Sequence, residues 1–160
     1  MGNCATMGFG ERAVKKGYPV ALLVVIALSL VAYVLWPTDE ERIRRLFREG
    51  VGAAESEDLD ALMSKVSFHY HDDYGLSYLT LKENLRKQFE VLSDIRVEYE
   101  VLRIQIEKKT ATVEVGVRAI ATMGSETGYI LGDIKTPLAL MVDLEKERAK
   151  WLIARIEKIE

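Results

Sequence analysis

The segment SFHYHDDYG, residues 67–75, gathers more chemically capable side chains than any other stretch of this chain. Read as a short strand and turn, it alternates. His69, His71 and Asp73 share one face, while Phe68, Tyr70 and Asp72 share the other. Two imidazoles two residues apart, with a carboxylate beside them, are donors of the kind that hold zinc. No third strong ligand is evident in the sequence. The group therefore reads first as polar residues on a wet strand face, and no metal is assigned. For proton transfer the candidates are Tyr70, Asp72, Tyr74 and the distant Tyr99. Such chemistry needs an acid or base within hydrogen-bond reach of a reacting group, and none of the four is a firm catalytic assignment. No Ser/His/Asp or Cys/His arrangement is recognisable. Gly124, Gly128 and Gly132 lack the spacing of a phosphate-binding loop. No cofactor is implied.

The element that must position these groups is a long hairpin over residues 95–122, turning at Lys108 and Lys109. In its second arm Ala111, Val113, Val115, Val117, Ala119 and Ala121 share one parity, the signature of a half-buried strand. In the first arm Ile95, Val97, Tyr99 and Val101 share one parity, but Leu102, Ile104 and Ile106 take the other. A phase change of one residue is what a β-bulge produces, so the spacing predicts a bulge near Val101–Leu102 and a curved sheet.

The flanking elements follow from capping and periodicity. Thr38 and Glu41 form a capping box for a helix to about Ala54, with Ile43, Leu46, Phe47 and Val51 inward. Ser56 is the expected cap of a short helix over 57–66, and Thr80 with Glu83 the expected box of a helix running to about Leu92. Residues 123–135 read as a loop. A strand follows Pro137, with Leu138, Leu140, Val142 and Leu144 pointing one way. The last strand covers 151–159, with apolar residues on both parities.

Residues 20–36 carry no charge and would rise about 26 Å as a helix, close to a bilayer's hydrocarbon thickness. Arg12, Lys15 and Lys16 precede the run and acids follow it, so the positive-inside rule places the N-terminus in the cytoplasm. The expected organisation is a cytoplasmic segment 1–18, a transmembrane helix 19–36 and a domain 37–160 on the outer side, periplasmic or otherwise extracytoplasmic. Cleavage after the small-x-small triplet Ala27, Leu28, Ser29 is the alternative. The opening MGNCAT also matches a myristoylation pattern, with Cys4 open to palmitoylation. The net charge is −3; the first 36 residues hold only 3 of the 22 basic and 1 of the 25 acidic residues, so the rest of the chain is mildly acidic at −5. Nucleic acid is therefore not an expected partner. A single cysteine excludes an internal disulfide framework.

Helix, helix, short strand, helix and a curved four-stranded meander together resemble the nuclear transport factor 2-like fold. The resemblance covers residues 39–159. It is carried by EDLDALMSKVS, HYHDDYG, TLKENLRKQF and the closing AKWLIARIEKI. It implies an α+β cone with about three helices on a bent antiparallel sheet, behind one transmembrane helix. The fold hosts enzymes, binding modules and scaffolds, so it does not fix function. The expectation is a membrane-anchored binding or protein-interaction module without catalysis, its ligand unknown. The alternative is a SnoaL-like or dehydratase-type enzyme using acid–base chemistry in the cone. A homodimer is also expected, through an outer apolar patch of Ile120, Met141, Trp151 and Ile153.

Overall fold

The computed structural model describes residues 22–29, 37–72 and 75–159. The chain divides into two compact units, Met1–Pro37 and Thr38–Glu160. In the first unit, residues 22–29 are helical. The remainder of the expected span 19–36, and the segment 1–18 with Cys4, lie outside the described residues. Among the described residues no helix is long and apolar enough to cross a membrane.

The second unit is an α+β fold. Helix α1, Asp39–Glu55, opens on the expected capping box, with the Glu41 amide donating to Thr38 Oγ1 and the Thr38 amide to Glu41 Oε2. Ser56 closes α1 instead of opening the next helix. Helix α2 is only Leu59–Met63, capped by Asp58, whose carboxylate accepts from the Ala61 amide at 2.9 Å. The side chain of Asp58 competes better for a free helix amide than a serine already bonded to the carbonyl of Gly52. Residues 67–72 form turns and single bridges, not the expected strand. Helix α3, Tyr78–Val91, starts two residues before the expected box, because Ser77 caps it with Thr80 as its reciprocal partner.

The sheet is antiparallel throughout. Strand β1 is Leu92–Glu107 and β2 is Thr110–Met123, joined by the expected two-residue turn. Their register breaks between Val101 and Arg103, leaving Leu102 as the bulge. That break keeps Val97, Tyr99, Val101, Ile104 and Ile106 opposite the inward row of β2. Leu102 itself is exposed. Strand β4, Leu138–Glu147, pairs with β2, and β5, Lys150–Lys158, pairs with β4. The expected loop over 123–135 contains a further strand, β3, Glu126–Leu131, paired with the end of β2.

Helix α1 packs Ile43 and Leu46 onto Val113, Val115, Val142, Leu144 and Trp151. A second cluster of Met63, Val66 and Tyr70 closes the sheet beside α2 and α3. The start of α1 is fixed by charge. Asp39 takes both of its oxygens to Lys146 Nζ at 2.7 Å, and Trp151 Nε1 donates to Asp39 Oδ1 at 3.3 Å. The Lys146 ammonium also sits 5.4 Å from the centre of the Trp151 ring.

The Lys146 hydrogen bond holds the Asp39 carboxyl below its ordinary value, against the opposing effect of burial and with help from Trp151. A carboxyl depressed in the folded state stabilises above its unfolded pKa and stops doing so as pH falls through the folded value. Asp39→Asn should therefore lower stability by about 1 kcal/mol at neutral pH, a figure discounted for partial exposure. In urea titrations the gap between the two proteins should close below about pH 4. A gap that stays constant with pH would show that the ion pair contributes nothing.

Candidate functional site

A cavity of about 660 Å³ lies between helix α3 and the curved sheet. Its floor is Ile95 and Val97 of β1 with Ala119 and Ala121 of β2, the inward row read from the sequence. Its roof is Leu85, Gln88 and Phe89 of α3, and its back is Ala54 and Leu62. Its outer wall is β3 with Met123. Small alanines on the floor leave the space, because a larger side chain at either position would occupy it.

The roof explains itself poorly as core. Helix α3 carries an apolar stripe of Leu81, Leu85 and Phe89, yet none of its residues is fully buried. An amphipathic helix is held in place mainly by burying such a stripe. Here part of the stripe faces open volume. The rim is apolar too: Met123 is 61% exposed, and Tyr129, Ile130 and Leu131 each about 40%. Among the described residues, the lining offers polar groups only at Gln88, Glu126, Thr127 and Tyr129, and Gln88 and Glu126 lie exposed at the surface.

The sequence-predicted acid–base candidates are elsewhere. Tyr70 is buried in the second core cluster, where its hydroxyl donates to Asp72 Oδ2 at 3.2 Å. Burial, and then the Asp72 carboxylate, raise the phenol well above its ordinary value, so it stays a protonated donor. Asp72 also accepts from the Leu76 amide at 2.8 Å, which fixes the turn. Neither residue lines the cavity. Tyr99 stacks on Phe47 with ring centres 6.4 Å apart, beneath α1. Tyr74 lies outside the described residues. Among the described residues, Tyr70 and Asp72 pair with each other, while Tyr99 packs on Phe47.

Of the metal candidates, His69 and His71 take different partners. His71 Nδ1 lies 3.1 Å from the backbone carbonyl of His69, and Asp73 lies outside the described residues. His69 instead meets two carboxylates of β4, with Nδ1 at 3.3 Å from Glu145 and 3.8 Å from Glu147. The segment is a turn, so the alternation assumed for a strand does not apply to it.

The expected dimer patch is corrected as well. Trp151 is only 3% exposed and belongs to the core beneath α1, and Ile153 packs against that core. The register of β4 and β5 shifts between Asp143 and Leu144, so Trp151, Ile153 and Ile156 all sit opposite inward residues of β4. Ile120 and Met141 are half-buried on the other face, among Arg118, Glu98, Glu114 and Arg103. The four residues do not form one surface.

No family model matches the sequence, and no curated protein matches it. Solved structures do. A candidate scytalone dehydratase from Novosphingobium aromaticivorans superposes with a TM-score of 0.65 at 13% identity, over 76% of this chain and 85% of that one. An NTF-2-like protein of unknown function from Shewanella oneidensis gives 0.57 at 15% identity, over 77% and 100%. Bd1075 of Bdellovibrio bacteriovorus gives 0.60 at 13% identity over 73% of this chain, which spans only 40% of that larger protein. At these identities the likeness shows the fold alone. The domain has the nuclear transport factor 2-like fold, as the order of its elements suggests.

Strand β3, which the sequence reading missed, is the wall that makes the cavity. Its end is set by Gly132, at φ +63, where a Cβ would come within 2.9 Å of the Val117 carbonyl and 3.0 Å of the Leu138 amide. Both neighbours are backbone and cannot yield cheaply. Gly132→Ala should lower stability by about 2 kcal/mol, from the left-handed backbone and the close approach together. Thermal unfolding checks this, and an unchanged midpoint would mean that the β3–β4 connection is free to move aside.

Proposed function

We propose that this protein is a non-catalytic, membrane-tethered receptor for an apolar small molecule held in the cone cavity. The observation that carries the reading is the apolar part of α3, Leu85 and Phe89, that faces open volume over a floor of Ile95, Val97, Ala119 and Ala121. A ligand in that space would complete the packing that the side chains leave open. Burying apolar surface at about 25 cal/mol per Å² makes a mostly hydrocarbon ligand the best fit. The tether rests on the uncharged run 20–36 and the basic residues before it. Under the same reading the N-terminus is cytoplasmic and the domain extracytoplasmic.

The second reading, a SnoaL-like or dehydratase-type enzyme, is favoured by the likeness to the candidate scytalone dehydratase. Against it, the cavity lining among the described residues offers no buried carboxylate or imidazole beside a tyrosine. Acid–base catalysis needs such a group within about 3 Å of the proton it moves.

The full chain, purified in mild detergent, should quench or enhance a fluorescent fatty-acid probe saturably. Ala121→Phe places a ring in the cavity and should weaken that binding at least tenfold while leaving the far-ultraviolet dichroism unchanged. Equal affinity in the two proteins would remove the cavity from consideration. Protease added to intact spheroplasts should remove the domain if the tether has the proposed orientation, and full protection would reverse it.

A further inference from the structure

The turn over residues 67–71 and the β4–β5 hairpin meet at a second constellation, on the face of the sheet away from the cavity. His69, Glu145 and Glu147 each offer a ligand atom, and the three atoms lie within 4.8 Å of one another. The imidazole and the carboxylates come from segments about 76 residues apart. Glu145 and Glu147 are two apart on β4, so both side chains leave the same face of the sheet.

We propose that His69, Glu145 and Glu147 form a binding site for a divalent transition-metal ion of the zinc type. Three arguments support it. The first is geometric. Ligands at about 2.1 Å from a tetrahedral ion are about 3.4 Å apart, and His69 Nδ1 stands 3.3 Å from Glu145 Oε1 and 3.8 Å from Glu147 Oε1. Both nitrogen–oxygen distances are within about half an ångström of that separation, and all three ligand atoms lie within 4.8 Å of one another. The second is electrostatic. Among the described residues no Lys or Arg pairs with either carboxylate, although Lys150 is the register partner of Glu147. The neighbouring Lys146 is turned to the opposite face and committed to Asp39. Among the described residues, the two adjacent carboxylates thus share one imidazole as their only basic side-chain partner. The third is positional. Ser67 is fully buried, and its hydroxyl donates to Glu145 while accepting from the His69 amide at 3.0 Å. One side chain therefore orients a carboxylate and the backbone of the histidine, as the outer hydrogen bonds of metal sites do.

One nitrogen and two carboxylates leave a fourth position open for water or an outside ligand. The ion would add a tie from the 67–71 turn to β4, beside the Ser67–Glu145 bond and the backbone bonds that Ser67 and His71 donate to Ile153 and Ala154 of β5. The mixed donor set favours zinc, cobalt or manganese over magnesium and calcium, which take oxygen ligands only.

The test uses the full chain in mild detergent, with any histidine tag removed and metal stripped by chelator. One equivalent of Zn²⁺ should raise the unfolding midpoint by about 5 °C. Co²⁺ should give a saturable visible absorption with an imidazole ligand. His69→Ala and Glu147→Gln remove exposed side chains and should leave the metal-free midpoint unchanged, while each weakens Zn²⁺ binding at least tenfold. Lys150→Gln should tighten it. The proposal is overturned if Zn²⁺ produces no saturable shift. It is equally overturned if the shift survives His69→Ala or if Mg²⁺ and Ca²⁺ reproduce it, since either would mark simple screening of two acids.

Discussion

The central strand β2 must satisfy two edges with three partners, and the shape of the domain follows from that constraint. One edge pairs with β1 from Thr110 to Met123. The other is shared, with β4 taking Thr110–Val117 and β3 taking Ala119–Met123. Backbone groups inside a sheet cannot go unpaired cheaply, so the chain between β3 and β4 must leave the edge where one partner hands over to the next. Gly132 stands at that handover, pressed against the Val117 carbonyl. The bulge at Leu102, close to the same level of the sheet, bends the other side. One half of β2 then lies under α1 and is filled by Val113, Val115 and Trp151, and the other half is left hollow.

The two halves carry different side chains for that reason. Ala119 and Ala121 are only 2% exposed, yet they border empty space, while Val113 and Val115 border packed neighbours. Helix α1 is tied to the filled half at its start by Asp39, Lys146 and Trp151. At its end Glu55 accepts from the Val97 amide at 2.9 Å on the free edge of β1. Both ties involve a carboxylate that satisfies a group the sheet could not pair internally. The helix is thereby anchored at both ends, from the filled half of the sheet to the back of the cavity, which Ala54 lines.

Much of this was legible in the residues. Parity in the hairpin revealed the inward face, and its slip at Leu102 revealed the bulge, because a buried row tolerates no break that the backbone does not also make. Thr38 and Glu41 announced α1. Other features were invisible for physical reasons. Strand β3 is a short, fully exposed edge strand, so its glycine and tyrosine show no alternation. Trp151 was read onto the wrong face because the β4–β5 shift inverts parity within a strand that is apolar on both sides. His69 found partners about 76 residues away, a distance that no local pattern spans. The Tyr70–Asp72 pair was visible as a pair, but its burial in a core cluster away from the cavity depends on how the turn folds over β5.

Helix α3 ends at Val91 and β1 begins at Leu92, with no residue between them to act as a hinge. Leu92 is paired with Met123 and Ser93 with Thr122, and the register then breaks before Arg96, where Asp94 takes φ 52. Any outward swing of the roof is therefore a torque on those first two rungs of the ladder. The irregular step at Asp94 sets those two rungs apart from the regular register that resumes at Arg96.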